Sequence, residues 1–575
     1  MTEPHRAVIT RLSADLGAIS MQLARASADL AELDRRLAPS YWAPPPPIAA
    51  PPPPIARPAP PPRDEGWIGK FLAVAGVAVT LIGVVFLLVL AAQAGVLRPE
   101  IRVGAGVVLA AGLVVTARWL HARPGGRTGA IALASTGTAA AYMDVIAVTT
   151  IYGWISAPTG LLIAAVVGGA GLALARRWNS EQLGLLVLVP LLVLAPVVVG
   201  GFTLLLVAFM LALSAAALRV QLGRDWLWLH AARIAASTFP LLAALVAVSF
   251  DDGRDRWLAG ACGIAALLAI AGTLILLPHA TNKPAMAVLT AAGVAPTLAV
   301  GLAVDRVVAA LMAATLAAVL LAIVLAGEQL PGVDRSVQRI WAVLSALSAL
   351  IAVVVAFDGR IAGPVLLAMA LVVATTGRRH ATPRYIAAGF ALVGAGFQLS
   401  YAPPSTLMRA TATTAAAGAS VLVTSLLLVA CTAVIAWSFQ GRNNAVWAVA
   451  AAVAGYAITT FTVTAGVLIG GTDAGFFAGH MAATICWIGL AAALFGYAAR
   501  LPRADRSLPI GGGLALVIAA MAKLFLFDLG TLDGMFRVGV FIVAGLVLLG
   551  MGAGYARLLD KQDQQQQPPV TSSTC

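Results

Sequence analysis

From Trp67 onward, apolar stretches of membrane-spanning length alternate with short polar breaks. A helix needs about 20 apolar residues to cross the hydrocarbon core of a bilayer. Stretches that meet or approach this length lie at 68–92, 103–120, 128–151, 157–175, 182–199, 201–218, 226–249, 257–277, 284–303, 307–326, 337–356, 361–376, 385–400, 412–438, 445–469, 475–499, 507–527 and 535–556. The pattern predicts an all-α integral membrane protein with about 18 transmembrane helices. The breaks are too short to hold a folded extramembrane domain. Residues 67–558 therefore form one polytopic unit, and the Gln-rich tail 559–575 is expected to be solvated and unstructured.

A different periodicity governs residues 1–38. Ile9, Leu12, Leu16, Ile19, Leu23, Ala26, Leu30, Leu33 and Leu37 recur at spacings of three and four, an a/d heptad seam with the charged residues held off it. Such a helix self-associates or binds a partner helix through residues 5–38, or else lies against the membrane or its own protein. Residues 39–66 follow as a linker with thirteen prolines between Pro39 and Pro62. Proline density of this kind favours extended polyproline II, a spacer or a docking strip. The N-terminus lacks the short apolar core of a cleavable signal, so the first span is expected to direct insertion.

Composition removes whole classes of function. The chain is 60% hydrophobic and 11% charged over 575 residues, whereas soluble domains carry about 25% charge. A soluble enzyme and a disordered protein are both excluded. The net charge of +13 does not point to nucleic acid, because its distribution follows the loops. Even-numbered loops carry seventeen basic residues against five acids, and odd-numbered loops eight against nine. The positive-inside rule then places both termini in the cytoplasm, with membrane lipids as the first partner.

Motifs for catalysis are lacking: there is no Walker loop, HExxH or GxSxG. Cys262, Cys431, Cys486 and Cys575 form no CxxC pair, so neither metal nor disulfide framework is expected, and no cofactor. The remaining chemistry is ionisable groups inside spans, each costly in hydrocarbon. Asp144, His480, Lys523 and Asp528 all fall in the outer half of the membrane and are candidates for one outward-facing polar pocket. Arg233 lies near a cytoplasmic end and is expected to snorkel to the interface. Pro190 and Pro196 share one span, a candidate helix break of the kind that lines cavities.

The opening "WIGKFLAVAGVAVTLIGVVFLLVLAAQAGVLRPEIRVGAG", the segment "GGRTGAIALASTGTAAAYMDVIAVTTIYGW" and the ending "MAKLFLFDLGTLDGMFRVGVFIVAGLVLLGMGAGYARL" carry a resemblance. They resemble a bacterial family of many-spanning membrane proteins, domain of unknown function 2339, with Lys523, Asp528 and Arg537 in matching places. The resemblance implies an integral fold in a bacterial plasma membrane and no particular activity. Three functions compete. The first is a protein that binds or moves a small or lipidic solute. The second is a non-catalytic scaffold for envelope assembly that recruits partners by its heptad arm. The third, a lipid-linked glycosyltransferase, is the weakest, since Glu100 is the only acid in the first loop.

Overall fold

In the computed structural model, residues 98–250, 255–377, 380–438, 444–502, 506–525, 535, 538–547 and 549–550 are described. The chain divides into Met1–Ile68 and Gly69–Cys575, and every described residue belongs to the second unit. The heptad seam (Leu12, Leu16, Ile19, Leu23, Leu30, Leu33, Leu37), the proline linker, the first span, Asp528 and the tail lie outside the described residues.

The described chain is helical throughout, and no strand occurs among these residues. In order the helices are α1 (Pro99–His121), α2 (Arg127–Ile146), α3 (Ala157–Trp178), α4 (Glu181–Val199), α5 (Leu204–Gln221), α6 (Leu227–Phe250), α7 (Arg256–Leu276) and α8 (Lys283–Leu298). They continue as α9 (Arg306–Leu325), α10 (Arg335–Ala356), α11 (Gly359–Thr376), α12 (Ala381–Tyr401), α13 (Ala415–Ser438), α14 (Asn444–Gly470), α15 (Phe476–Arg500) and α16 (Ser507–Lys523). A shorter apolar helix, α17, covers Val538–Val547. Among the described residues, thirteen helical stretches are long and apolar enough to cross a membrane, and one of them, Val446–Arg500, runs through α14 and α15.

Polar residues at the breaks set where these helices begin. Ser180 Oγ accepts from Leu183 N at 3.2 Å, Asn282 Oδ1 from Ala285 N at 3.2 Å, and Asp334 Oδ1 from Ser336 N and Val337 N. Each satisfies backbone donors that a helix start leaves unpaired, which matters most where no water can reach them. Helix ends are closed by arginines of the loops. Arg127 Nη2 donates to the carbonyls of Trp178 and Asn179, and Arg224 Nη2 to that of Arg176. The same basic residues that set the charge bias therefore also tie helix ends together. Arg123 stacks over the Trp119 ring at 3.4 Å, as amphipathic side chains do at a membrane interface.

Proline does not break α4. The helix is continuous from Glu181 to Val199 through both Pro190 and Pro196, which corrects the expectation of an unwound segment lining a cavity. Each ring removes one N–H from the ladder, but membrane helices tolerate this when the freed groups find other partners. At the C-terminal end the Pro196 carbonyl still accepts from both Gly200 N and Gly201 N. The turn then needs Gly200 at φ 79°, a left-handed conformation that a side chain would disfavour.

Packing proceeds along the chain. The most extensive interfaces join consecutive helices, α1 with α2, α9 with α10, α11 with α12 and α13 with α14. Buried apolar clusters succeed one another: one from Tyr142 to Ala236 across α2–α6, one from Val207 to Ala309, one from Val353 to Ala457 and one joining Ile488 to Ala520, Val540 and Ala544. Large apolar side chains such as Val108, Leu392 and Leu325 remain exposed on the helix faces, as lipid-facing positions require.

Candidate polar sites among the membrane helices

Lys523 ends α16, and its ammonium turns toward α15. Its Nζ donates to Thr484 Oγ1 at 2.8 Å and to the His480 carbonyl at 3.2 Å. Thr484 Oγ1 also donates to that carbonyl at 3.2 Å. The His480 ring, 2% exposed, packs edge-on against Phe476 with centroids 4.6 Å apart. Positions 480, 484 and 488 recur one turn apart and so form one face of α15, with Ile488 buried against Ala520 and Leu524. The spacing that places His480 beside α16 thus also supplies the threonine that receives the ammonium. The structure brings together two of the residues singled out from sequence, His480 and Lys523, and adds Thr484. A span-interior threonine is too ordinary a residue to have stood out.

Asp144 belongs elsewhere. Its helix α2 packs on α1, α3 and α4, whereas α15 packs on α14 and α16. The Asp144 carboxylate lies over Gly106 of α1, so close that a methyl group on that glycine would collide with it. Its Oδ2 is buried without a hydrogen-bond partner. The single pocket expected from depth alone is therefore two separate places, because depth in the membrane says nothing about which helices are neighbours.

Residues 359–558 match the family described as "Predicted membrane protein (DUF2339)". His480, Thr484 and Lys523 fall inside this DUF2339 segment, while Asp144 and Arg233 lie before it. No curated protein and no solved structure matches the chain.

The DUF2339 segment also holds an apolar cleft of about 450 Å³ between α14 and α15, lined by Phe461, Ala465, Ile469, Ala478 and Ala482 among others. It opens on the face of α15 opposite the one that carries His480 and Thr484, as their helical spacing requires. The cleft and the ammonium thus flank one helix without sharing a cavity.

Arg233 departs most from its expected behaviour. Its side chain is wholly buried (0% exposed), as is that of His230 one turn earlier. A snorkelling arginine would reach solvent. This one instead turns inward against α7, where Gly272 makes room for it. Sequence reasoning singled out Arg233 but passed over His230, three residues earlier on the same helix. Thr273 and Thr290, which complete the group, gave no signal in sequence.

Among the described residues no group of three or more His, Cys, Asp or Glu side chains is placed to hold a metal ion. Cys262 and Cys431 are buried free thiols, and Cys431 Sγ donates to the Leu367 carbonyl at 3.1 Å. Glu100 stands exposed in the first turn of α1, where a carboxylate complements the helix dipole.

Proposed function

We propose that the protein is a multi-pass protein of a bacterial plasma membrane, with about 18 spans and both termini cytoplasmic, that binds or moves a small or lipidic solute. The observation that carries this reading is Lys523, an ionisable side chain inside the helix bundle bound to a carbonyl and a hydroxyl of the neighbouring helix. An ionisable side chain among membrane helices is costly to keep there, which is why such positions favour a functional role. His480 and Asp528 belong to the same outer region in the topology inferred from loop charges. Asp144 supplies a second outer polar position.

The competing reading is a non-catalytic scaffold for envelope assembly. It draws on the heptad seam of residues 5–38 and on the separation of Asp144 from Lys523 in the fold. A lipid-linked glycosyltransferase gains no support, since Glu100 has an ordinary helix-terminal role.

The two readings part in a deletion strain profiled for lipids and metabolites and complemented by variants. Solute handling predicts that Lys523→Gln restores protein level but leaves the metabolite change uncorrected, with Asp144→Asn weaker in the same direction. Full complementation by both variants at normal abundance favours the scaffold. Deletion of residues 1–38 would then be the change that fails to complement.

A further inference from the structure

Arg233 presents an electrostatic problem that the protein alone does not solve. A guanidinium carries five N–H donors and no acceptor, and it stays protonated in proteins. Arg233 Nη2 donates to His230 Nδ1 at 2.8 Å. Its Nε and Nη1 are buried and have no hydrogen-bond partner. It makes no ion pair among the described residues. Leaving one charge uncompensated inside a protein costs several kcal/mol, more than almost any single packing contact returns.

The surrounding groups cannot supply the missing negative charge. Since Arg233 only donates, His230 Nδ1 accepts, and the neutral ring carries its proton on Nε2. That nitrogen faces Thr273 Oγ1 at 3.3 Å, and Thr290 Oγ1 donates to the same oxygen at 2.9 Å. The group is thus a chain of neutral hydroxyls and an imidazole ending in a cation. The guanidinium also fits a prepared space: a Cβ on Gly272 would come within 2.5 Å of Nη2 and 2.8 Å of Nη1. A wholly buried Gln221 sits at the end of α5, with both amide atoms lacking a partner. It lies seven residues beyond Ser214, whose hydroxyl donates to the Arg233 carbonyl, so both occupy the face of α5 turned to α6.

These residues cluster at one end of four helices. Arg233 lies six residues into α6, Thr273 three before the end of α7 and Thr290 seven into α8, all within about 10 Å of that end at 1.5 Å per residue. The loops there carry Arg224 and Lys283. The nearby acids are engaged: Asp225 accepts from Thr281 N and Oγ1, and Glu181 Oε1 accepts from Trp228 N and Leu229 N. The mouth thus holds Arg224 and Lys283 beside two carboxylates that are turned onto backbone and hydroxyl donors of the helix ends.

We propose that Arg233, with His230 and Thr273 beside it, is a binding site for a small inorganic anion of halide size, reached past Gln221 from the end of the bundle that carries Arg224 and Lys283. Size follows from packing. Nε and Nη1 have no exposed surface and α7 closes over the guanidinium at Gly272, so even a monatomic ion must displace side chains to reach them, and the smallest anion displaces the fewest. A phosphate or an organic acid would need the helices to part. This site is independent of the Lys523 reading and involves different helices.

The test uses purified full-length protein in lipid nanodiscs, unfolded by heat in sodium chloride or in sodium gluconate of equal ionic strength. Chloride should raise the unfolding temperature by a few degrees over gluconate, because a ligand that binds only the folded state stabilises it by mass action. Arg233→Met should abolish the difference, and Arg306→Met, a change at an exposed position, should keep it. Should Arg233→Met not fold, Thr273→Val removes a member of the group without unpairing a charge and should shrink the chloride effect. Equal unfolding temperatures of the wild type in the two salts, or a chloride effect that survives in Arg233→Met, would overturn the proposal. Stabilisation by sodium phosphate equal to that by chloride would overturn the size assignment.

Discussion

Two of the cations among the described helices, Lys523 and Arg233, are held in opposite ways. Lys523 reaches from the end of α16 to a carbonyl and a hydroxyl on α15, and it remains partly exposed. Arg233 is sealed between α6 and α7, with two of its three nitrogens unpartnered. An ammonium is a compact point charge that oxygen acceptors on one neighbouring helix can solvate. A guanidinium is a planar fork whose donors spread over both edges, and one histidine cannot satisfy it. The first arrangement is stable as it stands. The second leaves donors without acceptors, and this difference is why the Arg233 site is proposed to take an anion of its own.

The contrast can be broken most forcefully at Gly272. Gly272→Ala should destabilise the protein by about 1–3 kcal/mol, the usual cost of overpacking a filled interior. The same change should be nearly neutral in an Arg233→Met background, where the flexible methionine yields. A double-mutant cycle read by reversible unfolding in detergent measures this, and additive effects would show that the guanidinium does not lie over Gly272.

Lys523 should respond more mildly. Lys523→Met removes the charge-assisted hydrogen bonds to Thr484 and the His480 carbonyl and should cost about 1–2 kcal/mol, whereas Thr484→Val, which leaves the His480 carbonyl as acceptor, should cost about 0.6 kcal/mol, as single polar contacts between membrane helices do. The order of these two costs is the informative result. A larger loss from Thr484→Val would mean that the hydroxyl serves α15 rather than the ammonium.

The smallest effect is expected at Asp144. Asp144→Asn should change stability by only a few tenths of a kcal/mol and raise it rather than lower it, since Oδ2 has no partner to lose and a neutral amide is cheaper to hold beside Gly106. A loss above about 1 kcal/mol in the same unfolding assay would reveal an interaction of the charged form.

Much of this architecture is legible in the chain itself. Helix limits such as 182–199 and 337–356 coincide with α4 and α10 to within two residues, because capping serine and aspartate stand where the apolar run begins. Position along a helix is legible as well, since it follows from counting residues. Lateral position is not. Nothing local tells that α2 and α16 are apart, or that His480 and Lys523 meet across forty residues of chain. Arg233 was misread for a related reason: a long cationic side chain can reach water or turn inward, and what decides is Gly272 on another helix. Proline too was misleading at Pro190 and Pro196, where the surrounding apolar run keeps the helix intact.

The junction of α14 and α15 has a consequence for how the protein is made. A π-turn, Gly471–Gly475, joins the two helices directly, and Gly466, Gly475 and Gly479 bring their backbones so close that a methyl group on any of them would strike the opposite strand of the hairpin. With so short a connection, the entropy of bringing the two helices together is small once either has formed. Residues 446–500 are therefore expected to enter the bilayer together as one hairpin, with Asp473 in the turn between the helices. Gly475→Val is therefore expected to keep the two helices from closing, read as less membrane-inserted protein in cell-free translation with membranes.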